Sequence, residues 1–204
     1  MAEPTPPATP ARVDGLILAA FPPELAGLEA RPPPGWRVGV CGIGAVTAAA
    51  TTARLLAERP ASRVVLIGTC GAYDGRLAIG DLVAVSTAIA TSLDELGGRA
   101  DRPSLEAARW EATLRLPFPA HPVAVTPGIT VDPAGAAALA RLAAAEHLEV
   151  TGVFAAASAA GVPVGALLGV ANRVGPGAHA EWQAHHARVS AALVEALVAA
   201  LPWL

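Results

Sequence analysis

Three segments of this 204-residue chain place polar side chains directly after strongly apolar runs: residues 68–73, 148–152 and 172–177. They contribute three different groups, the hydroxyl of Thr69, the carboxylate of Glu149 and the amide of Asn172. A carboxylate can stabilise a developing positive charge, and an amide can both donate and accept hydrogen bonds. In open α/β sheets, ligands bind outside the carboxyl ends of the strands. We therefore expect the three segments to meet in one ligand site at that edge of a sheet.

Strand and helix patterns alternate along the chain and determine where those segments should lie. Strands are expected at residues 13–20, 36–41, 63–67, 81–90, 121–131 and 162–171, most of them continuous apolar runs typical of buried parallel strands. Helices are expected at 45–58, after an N-cap at Asp132, at 148–160 and at 178–201. This alternation predicts a three-layer α/β/α fold with a central, mostly parallel, twisted sheet.

The chain's ends and its one irregular stretch suggest a simple organisation. We expect a single domain over residues 13–204, preceded at 1–12 by a leader rich in Pro, Ala and Thr that is disordered. Residues 91–119 are charged and less regular, which indicates a surface excursion that could form a lid.

Composition argues against several classes of function. The chain has a formal net charge of −3 with scattered arginines, unlike a nucleic-acid-binding surface, and its lack of lysine excludes a P-loop or a Schiff base. Cys41 and Cys70 stand in apolar surroundings and are interpreted as buried thiols, so neither a metal nor another cofactor is expected. No apolar run reaches the roughly 18 residues of a membrane span. We expect a cytoplasmic protein with a small-molecule partner.

Four motifs occur in the order found in one enzyme family. They are Ala-Ala-Phe-Pro-Pro-Glu at 19–24, Gly-Ile-Gly-Ala-Val-Thr-Ala-Ala at 42–49, Gly-Thr-Cys-Gly-Ala at 68–72 with Leu-Ala-Ile-Gly-Asp-Leu-Val at 77–83, and Gly-Val-Ala-Asn-Arg-Val-Gly at 169–175. With Trp182 downstream, the set resembles the purine nucleoside phosphorylase/nucleosidase superfamily, and within it the futalosine hydrolases. The resemblance implies a purine nucleoside phosphorylase-like fold, a homo-oligomer, and removal of a hypoxanthine-type base from futalosine in menaquinone synthesis.

The resemblance also implies roles for the polar side chains. Glu149 would orient the ribose hydroxyls and stabilise the cationic sugar of the transition state. Asn172 would hydrogen-bond N7 and O6 of the base, which favours a hypoxanthine-like base over adenine because an amide cannot act as an acid. Thr69 and the backbone amides of Cys70 and Gly71 would lie under the attacking water or phosphate.

Other positions leave alternatives open. Related nucleosidases carry a water-activating glutamate where this chain has Pro22. Glu24 is a candidate substitute, although a helix would place it on a different face and such a residue is usually solvated. Leu148 replaces the family's methionine beside the ribose. Asp94 could reach substrate if residues 91–96 fold over the site, the alternative being a surface carboxylate.

The predicted last helix carries several aromatic side chains. We interpret His179, His185 and His186 as surface residues, because they have no partners at metal-ligand spacing. Trp182 is expected to be a core anchor beneath the segment that carries Asn172.

Several functions remain possible from sequence alone. No set of phosphate-binding arginines is apparent, which favours hydrolysis over a phosphate-dependent phosphorylase. A methylthioadenosine/adenosylhomocysteine-type nucleosidase is a further alternative. From another class, Gly-Ile-Gly at 42–44 superficially resembles a dinucleotide-binding turn, but no acidic residue follows at the required distance. A catalytically weak ligand-binding member is the last alternative.

Overall fold

The computed structural model describes residues 14–104, 106 and 108–204; the expected leader at 1–12 lies outside them. The strands are β1 (Gly15–Ala19), β2 (Trp36–Val40), β3 (Val64–Ala72), β4 (Leu82–Ala90), β5 (Arg109–Glu111), β6 (Ala120–Val125), β7 (Ala145–His147) and β8 (Val164–Arg173). The α-helices are α1 (Ala45–Glu58), α2 (Leu93–Leu96), α3 (Pro133–Leu139), α4 (Val150–Ala159) and α5 (Ala178–Ala200). Short 3₁₀ helices span Pro22–Leu25, Leu28–Ala30 and Leu201–Trp203.

The eight strands form one mixed sheet in which parallel pairs outnumber antiparallel ones. The pairs β1–β2, β1–β3, β3–β8, β4–β6 and β6–β7 are parallel, whereas β3–β7, β4–β5 and β4–β8 are antiparallel. Strands β3, β8, β4, β6 and β7 pair in succession, and β7 returns to β3, so part of the sheet closes on itself. The two short flanking strands β1 and β2 extend the sheet from β3.

Helices cover both faces of the sheet, which confirms the expected three layers. Side chains alternate between the faces of a strand. Along β1, Leu16 and Leu18 join a core cluster that includes residues of α1 and α4. Ile17 and Ala19 join a second cluster with Leu193 of α5. Because both faces are buried, β1 reads as a continuous apolar run in the sequence.

Close helix packing holds α4 against the start of α1. A Cβ placed on Gly152 of α4 would lie 2.0 Å from the carbonyl oxygen of Ala45. Only a glycine allows this approach. The contact fixes the start of α1 relative to Glu149, the N-cap residue of α4.

Several boundaries differ from those expected. The segment 68–72 is part of β3 rather than a loop, because it pairs with β8 along its length and with β7 at its end. The expected strand at 121–131 ends at Val125, and β7 was not anticipated at all. Within 91–119, β5 pairs with β4. Asp132 is the N-cap of α3, as predicted, and accepts a hydrogen bond from the backbone N–H of Gly135.

In the described part of the chain, no helix combines the length and apolar character that crossing a membrane requires.

Candidate active site

A cavity of about 310 Å³ lies where the carboxyl ends of β1, β3, β7 and β8 meet. Its size lies at the lower end of the range for small-molecule sites. Among the residues singled out from the sequence it is lined by Glu24, Thr69, Cys70, Gly71, Leu148, Glu149 and Asn172. Further lining residues include Phe21, Ile43, Ile129, Glu146, His147, His179 and Trp182. The three polar segments therefore meet at one edge of the sheet, as predicted.

Glu24 points into this cavity, and the expectation that it lies on another face or in solvent is wrong. The segment Pro22–Leu25 is a 3₁₀ turn, in which side chains three residues apart eclipse each other. Glu24 and the preceding Phe21, the extended N-cap of this turn, both line the cavity, and Glu24 is only 3% exposed.

The Glu24 carboxylate has one bound and one free oxygen. Oε1 accepts hydrogen bonds from the backbone N–H of Thr69 at 2.7 Å and from its hydroxyl at 2.8 Å. Oε2 is buried and has no hydrogen-bond partner among the described residues. Burial raises the pKa of Glu24, and this outweighs the opposing effects of His147 and Thr69. A fixed carboxylate with one free oxygen and a raised pKa has the properties of a general base.

Trp182 completes a hydrogen-bonded chain that ends on Glu24. Its indole Nε1–H donates to Thr69 Oγ1 at 3.0 Å, and that hydroxyl donates to Glu24 Oε1. The indole ring also stacks on His186, with ring centroids 4.2 Å apart. Trp182 therefore lies half-buried in the cavity wall, outside the buried core, so the expectation of a core anchor is wrong.

Glu149 is held by the glycine turn that precedes α1. Its Oε1 accepts a hydrogen bond from the backbone N–H of Gly44 at 2.8 Å. Gly44 adopts φ +86°, a left-handed conformation that favours glycine. Glu149 is also the N-cap of α4, so its negative charge lies near two helix N-termini. The amide of Gly44 is therefore engaged by this carboxylate and is not free for the phosphates of a dinucleotide.

His147 forms the second contact of the Glu149 carboxylate and was missed from the sequence. Its Nδ1 lies 3.0 Å from Glu149 Oε2, and the imidazole is buried. Burial opposes ionisation of Glu149, but the charge and hydrogen bond of His147, with the Gly44 amide, lower the pKa of Glu149 overall. Burial favours the neutral form of His147, but the negative charges of Glu149 and Glu24 outweigh it and raise the pKa of His147.

Glu146, also not anticipated, ties the wall of the cavity to a neighbouring loop. Its carboxylate accepts hydrogen bonds from the backbone N–H of Thr130 at 2.9 Å, from the Thr130 hydroxyl, and from the hydroxyl of Tyr73 at 3.2 Å. All three hydrogen bonds join Glu146 to the neighbouring residues Thr130 and Tyr73, so its role is structural. Ile129, which precedes Thr130 in that loop, lines the cavity mouth.

Asn172 lies within β8 rather than in a turn after it. Its Nδ2 donates to the carbonyl oxygen of Arg173 at 3.1 Å, which leaves one N–H and the carbonyl Oδ1 for a ligand. A Cβ on Gly71 would lie 2.8 Å from that Nδ2. Gly71 therefore provides the space that the amide of Asn172 occupies.

Asp94 lies outside the cavity. It pairs with Arg99, its Oδ1 2.8 Å from Nη2, on the exposed one-turn helix α2. The surface-carboxylate alternative is therefore correct, and α2 does not cover the site. His179, interpreted as a surface residue, is exposed but also forms part of the cavity lining.

The two thiols are not nucleophiles. Cys41 and Cys70 are unpaired and buried, and burial raises the pKa of each to about 12, so both are neutral at ordinary pH. Among residues 14–104, 106 and 108–204, no three His, Cys, Asp or Glu side chains are grouped to hold a metal ion.

Comparison with known proteins places this chain in a family. The model of the Phosphorylase superfamily matches residues 37–202. Futalosine hydrolase of Streptomyces coelicolor is 35% identical, covering 75% of this chain and 74% of that enzyme.

Solved structures show the same fold. A futalosine hydrolase mutant of Helicobacter pylori superimposes with a TM-score of 0.82 at 18% identity, covering 94% of this chain and 100% of that one. A 5′-methylthioadenosine/S-adenosylhomocysteine nucleosidase of Helicobacter pylori, crystallised with butyl-thio-DADMe-Immucillin-A, gives 0.83 at 16% identity, covering 94% and 99%. With the family model matching most of its length, the chain belongs to the phosphorylase superfamily.

Proposed function

We propose that this protein is a nucleosidase that hydrolyses the N-glycosidic bond of a 6-oxopurine nucleoside, with futalosine as its substrate and hypoxanthine as the released base. One observation carries the proposal: two buried carboxylates, Glu24 and Glu149, and the amide of Asn172 line one small cavity. The sequence similarity to the Streptomyces futalosine hydrolase supports the choice of substrate.

The two carboxylates have different tasks in this proposal. Glu24 accepts a proton from water through its free Oε2 while the water oxygen bonds to C1′ of the sugar. The bond between C1′ and N9 breaks, and its electron pair leaves with the base. Glu149, whose low pKa keeps it ionised, stabilises the positive charge on the sugar and orients its hydroxyls.

Asn172 sets the preference for the base. Its free N–H can donate to O6 of a 6-oxopurine, and its Oδ1 can accept a hydrogen bond from a protonated N7. An adenine offers an amino group at position 6 in place of an acceptor, so one of these bonds is lost. The proton that the departing base gains must come from solvent, because an amide is not an acid.

The cavity lining favours water over phosphate as the nucleophile. Its basic side chains among the described residues are His147 and His179, and no arginine belongs to it. A phosphate dianion bound beside two carboxylates would need such a cation. The phosphorylase alternative is therefore the weaker one.

A panel of nucleosides assayed by chromatography tests the proposal. Inosine and futalosine should release hypoxanthine without phosphate, and adenosine should be a poor substrate. Glu149→Gln should lose most of this activity, whereas Glu195→Gln, an exposed glutamate on α5, should retain it. Base release that requires phosphate, or undiminished turnover by Glu149→Gln, would contradict the proposal.

We further infer that the protein is a homo-oligomer that works in the cytoplasm, in menaquinone synthesis. Support for association comes from Ile43 and Ile129, which line the cavity mouth yet are 62% and 59% exposed, and from Val46 and Val131 nearby in sequence. Light scattering coupled to gel filtration tests this inference. An Ile43→Ser, Ile129→Ser double variant should shift the mass to that of a monomer; a wild-type monomer contradicts it.

A further inference from the structure

His147 lies beside Glu24 and Glu149, two of the three carboxylates that line the cavity, and the proposed reaction gives it no task. Its Nδ1 is 3.0 Å from Glu149 Oε2. Its Nε2 lies 3.0 Å from the point where a Cβ on Gly68 would stand, and both oxygens of Glu24 lie 3.2 Å from the same point. The imidazole is 4% exposed, so its charge is little screened by solvent.

The contact with Glu149 indicates where a proton lies. Nδ1 has one in-plane position, which carries either a hydrogen or a lone pair. A lone pair facing a carboxylate oxygen at 3.0 Å would be repelled, so this contact favours a proton on Nδ1. The backbone N–H of Glu149 points at the same nitrogen from 3.1 Å and donates to it only while Nδ1 carries a lone pair, so this amide and the carboxylate compete for the one position. With a second carboxylate, Glu24, on the other side, the imidazolium is the favoured form.

We propose that His147 is a positioning residue for the hydrolysis: as an imidazolium it holds Glu149 ionised and oriented towards the sugar, and it keeps Glu24 ionised until the proton of water arrives. This inference rests on the proposed function. The three groups then carry one net negative charge. Together they stabilise the positive charge that develops on the sugar as the bond to the base breaks.

The positive charge beside Glu24 and Glu149 does not come from the other titratable groups described near them. The thiols of Cys41 and Cys70 have pKa values of about 12 and stay neutral. Burial likewise raises the pKa of Tyr73, which remains a phenol. Glu146, adjacent to His147 in β7, is occupied by bonds from Thr130 and Tyr73. His147 is the only basic group in direct contact with Glu149 among the described residues.

Two substitutions separate the charge of His147 from its hydrogen bond. In His147→Asn, the amide nitrogen can reach the position of Nδ1 and donate to Glu149, whereas in His147→Gln it extends towards the position of Nε2. We expect kcat to fall about 10- to 100-fold in both, the value of a lost hydrogen bond to a charged group, with a smaller change in KM and with Asn retaining more activity. His121→Asn, on β6 outside the cavity, is the matched control and should behave as wild type.

The pH profile provides a readout that a structural role would not move. Loss of the imidazolium raises the pKa of Glu24 and Glu149, so the acid limb of kcat/KM should shift to higher pH in both variants. The wild type should also lose activity at high pH as His147 loses its proton, and the variants should lack that limb. Profiles of unchanged shape in both variants would overturn the proposal, whatever the change in kcat.

A measurement without substrate distinguishes failure of this inference from failure of the proposed function. Nitrogen NMR of the histidine rings, assigned by the signal lost in His147→Gln, gives the pKa of His147. It should exceed the ordinary 6.5 in the wild type and fall in Glu149→Gln. A neutral His147 ring at pH 6 in the wild type would overturn the proposal, even if the protein cleaves nucleosides.

Discussion

Replacing Glu24 by Gln separates the acid–base role of this carboxylate from its structural role. Glutamine has nearly the same shape, and its Oε1 can accept both hydrogen bonds that Thr69 donates at 2.7 and 2.8 Å. Its amide nitrogen takes the place of the free Oε2, the oxygen that accepts the proton of water in our proposal. The substitution therefore removes the base and leaves its supports in place.

The expected loss of activity follows from the role of a general base. Such groups contribute about 10²- to 10⁴-fold, so kcat/KM should fall by that factor, equivalent to about 3 to 5 kcal/mol in the barrier. Base release from inosine or futalosine, followed by chromatography, measures it. Glu29→Gln, an exposed glutamate in the next 3₁₀ helix, is the matched control and should leave kcat/KM unchanged.

The free energy of unfolding of Glu24→Gln should rise even though its activity falls. Because burial raises the pKa of Glu24, its folded state holds a proton more tightly than the unfolded chain does. The stability linked to this group is therefore fully present below its ordinary pKa of 4.5, and is lost as the pH rises through the folded value. Relative to wild type, Glu24→Gln should gain free energy of unfolding between pH 4 and pH 7.

Two results would refute this reasoning. If Glu24→Gln cleaves nucleosides within threefold of wild type, Glu24 is not the base. If urea unfolding shows the variant losing stability relative to wild type as the pH rises from 4 to 7, the inference that the ionised carboxylate of Glu24 destabilises the folded protein is wrong.

Further substitutions test other parts of the site and fold. Gly71→Ala puts a Cβ 2.8 Å from Asn172 Nδ2 and should lower kcat/KM for inosine at least tenfold without loss of fold, as checked by circular dichroism. Asn172→Asp should raise the ratio of adenosine to inosine cleavage, because a carboxyl, unlike an amide, can transfer a proton to N7 of the departing adenine while accepting from its 6-amino group; an unchanged ratio refutes that role. Gly152→Ala should cost about 3 kcal/mol in urea unfolding, because its Cβ would lie 2.0 Å from the Ala45 carbonyl oxygen.

Local signals in the sequence were sufficient for much of the fold. Helix α1 begins and ends at the predicted residues, Ala45 and Glu58, because a glycine turn precedes it and Pro60 follows it closely. The N-cap of α3 at Asp132 is equally local. The segments that carry Glu149 and Asn172 were located from the strand pattern, the two residues themselves were assigned through the family resemblance, and the cavity includes both.

The features that were missed depend on contacts distant in sequence. Strand β7 has only three residues and is defined by pairing with β3 and β6, so no periodic pattern could reveal it. His147 ends that strand, and its position before Leu148 and Glu149 was the available signal. Glu24 was misplaced because the sequence does not distinguish a 3₁₀ turn from an α-helix, and the two differ in which face residue 24 occupies.

Cleavage of futalosine or inosine in water enriched in oxygen-18, with inorganic phosphate present, tests the central claim most directly. Hydrolysis predicts free hypoxanthine and a sugar whose C1′ hydroxyl carries the heavy isotope, detected by mass spectrometry. A sugar 1-phosphate, or no release of base from any 6-oxopurine nucleoside, would contradict it.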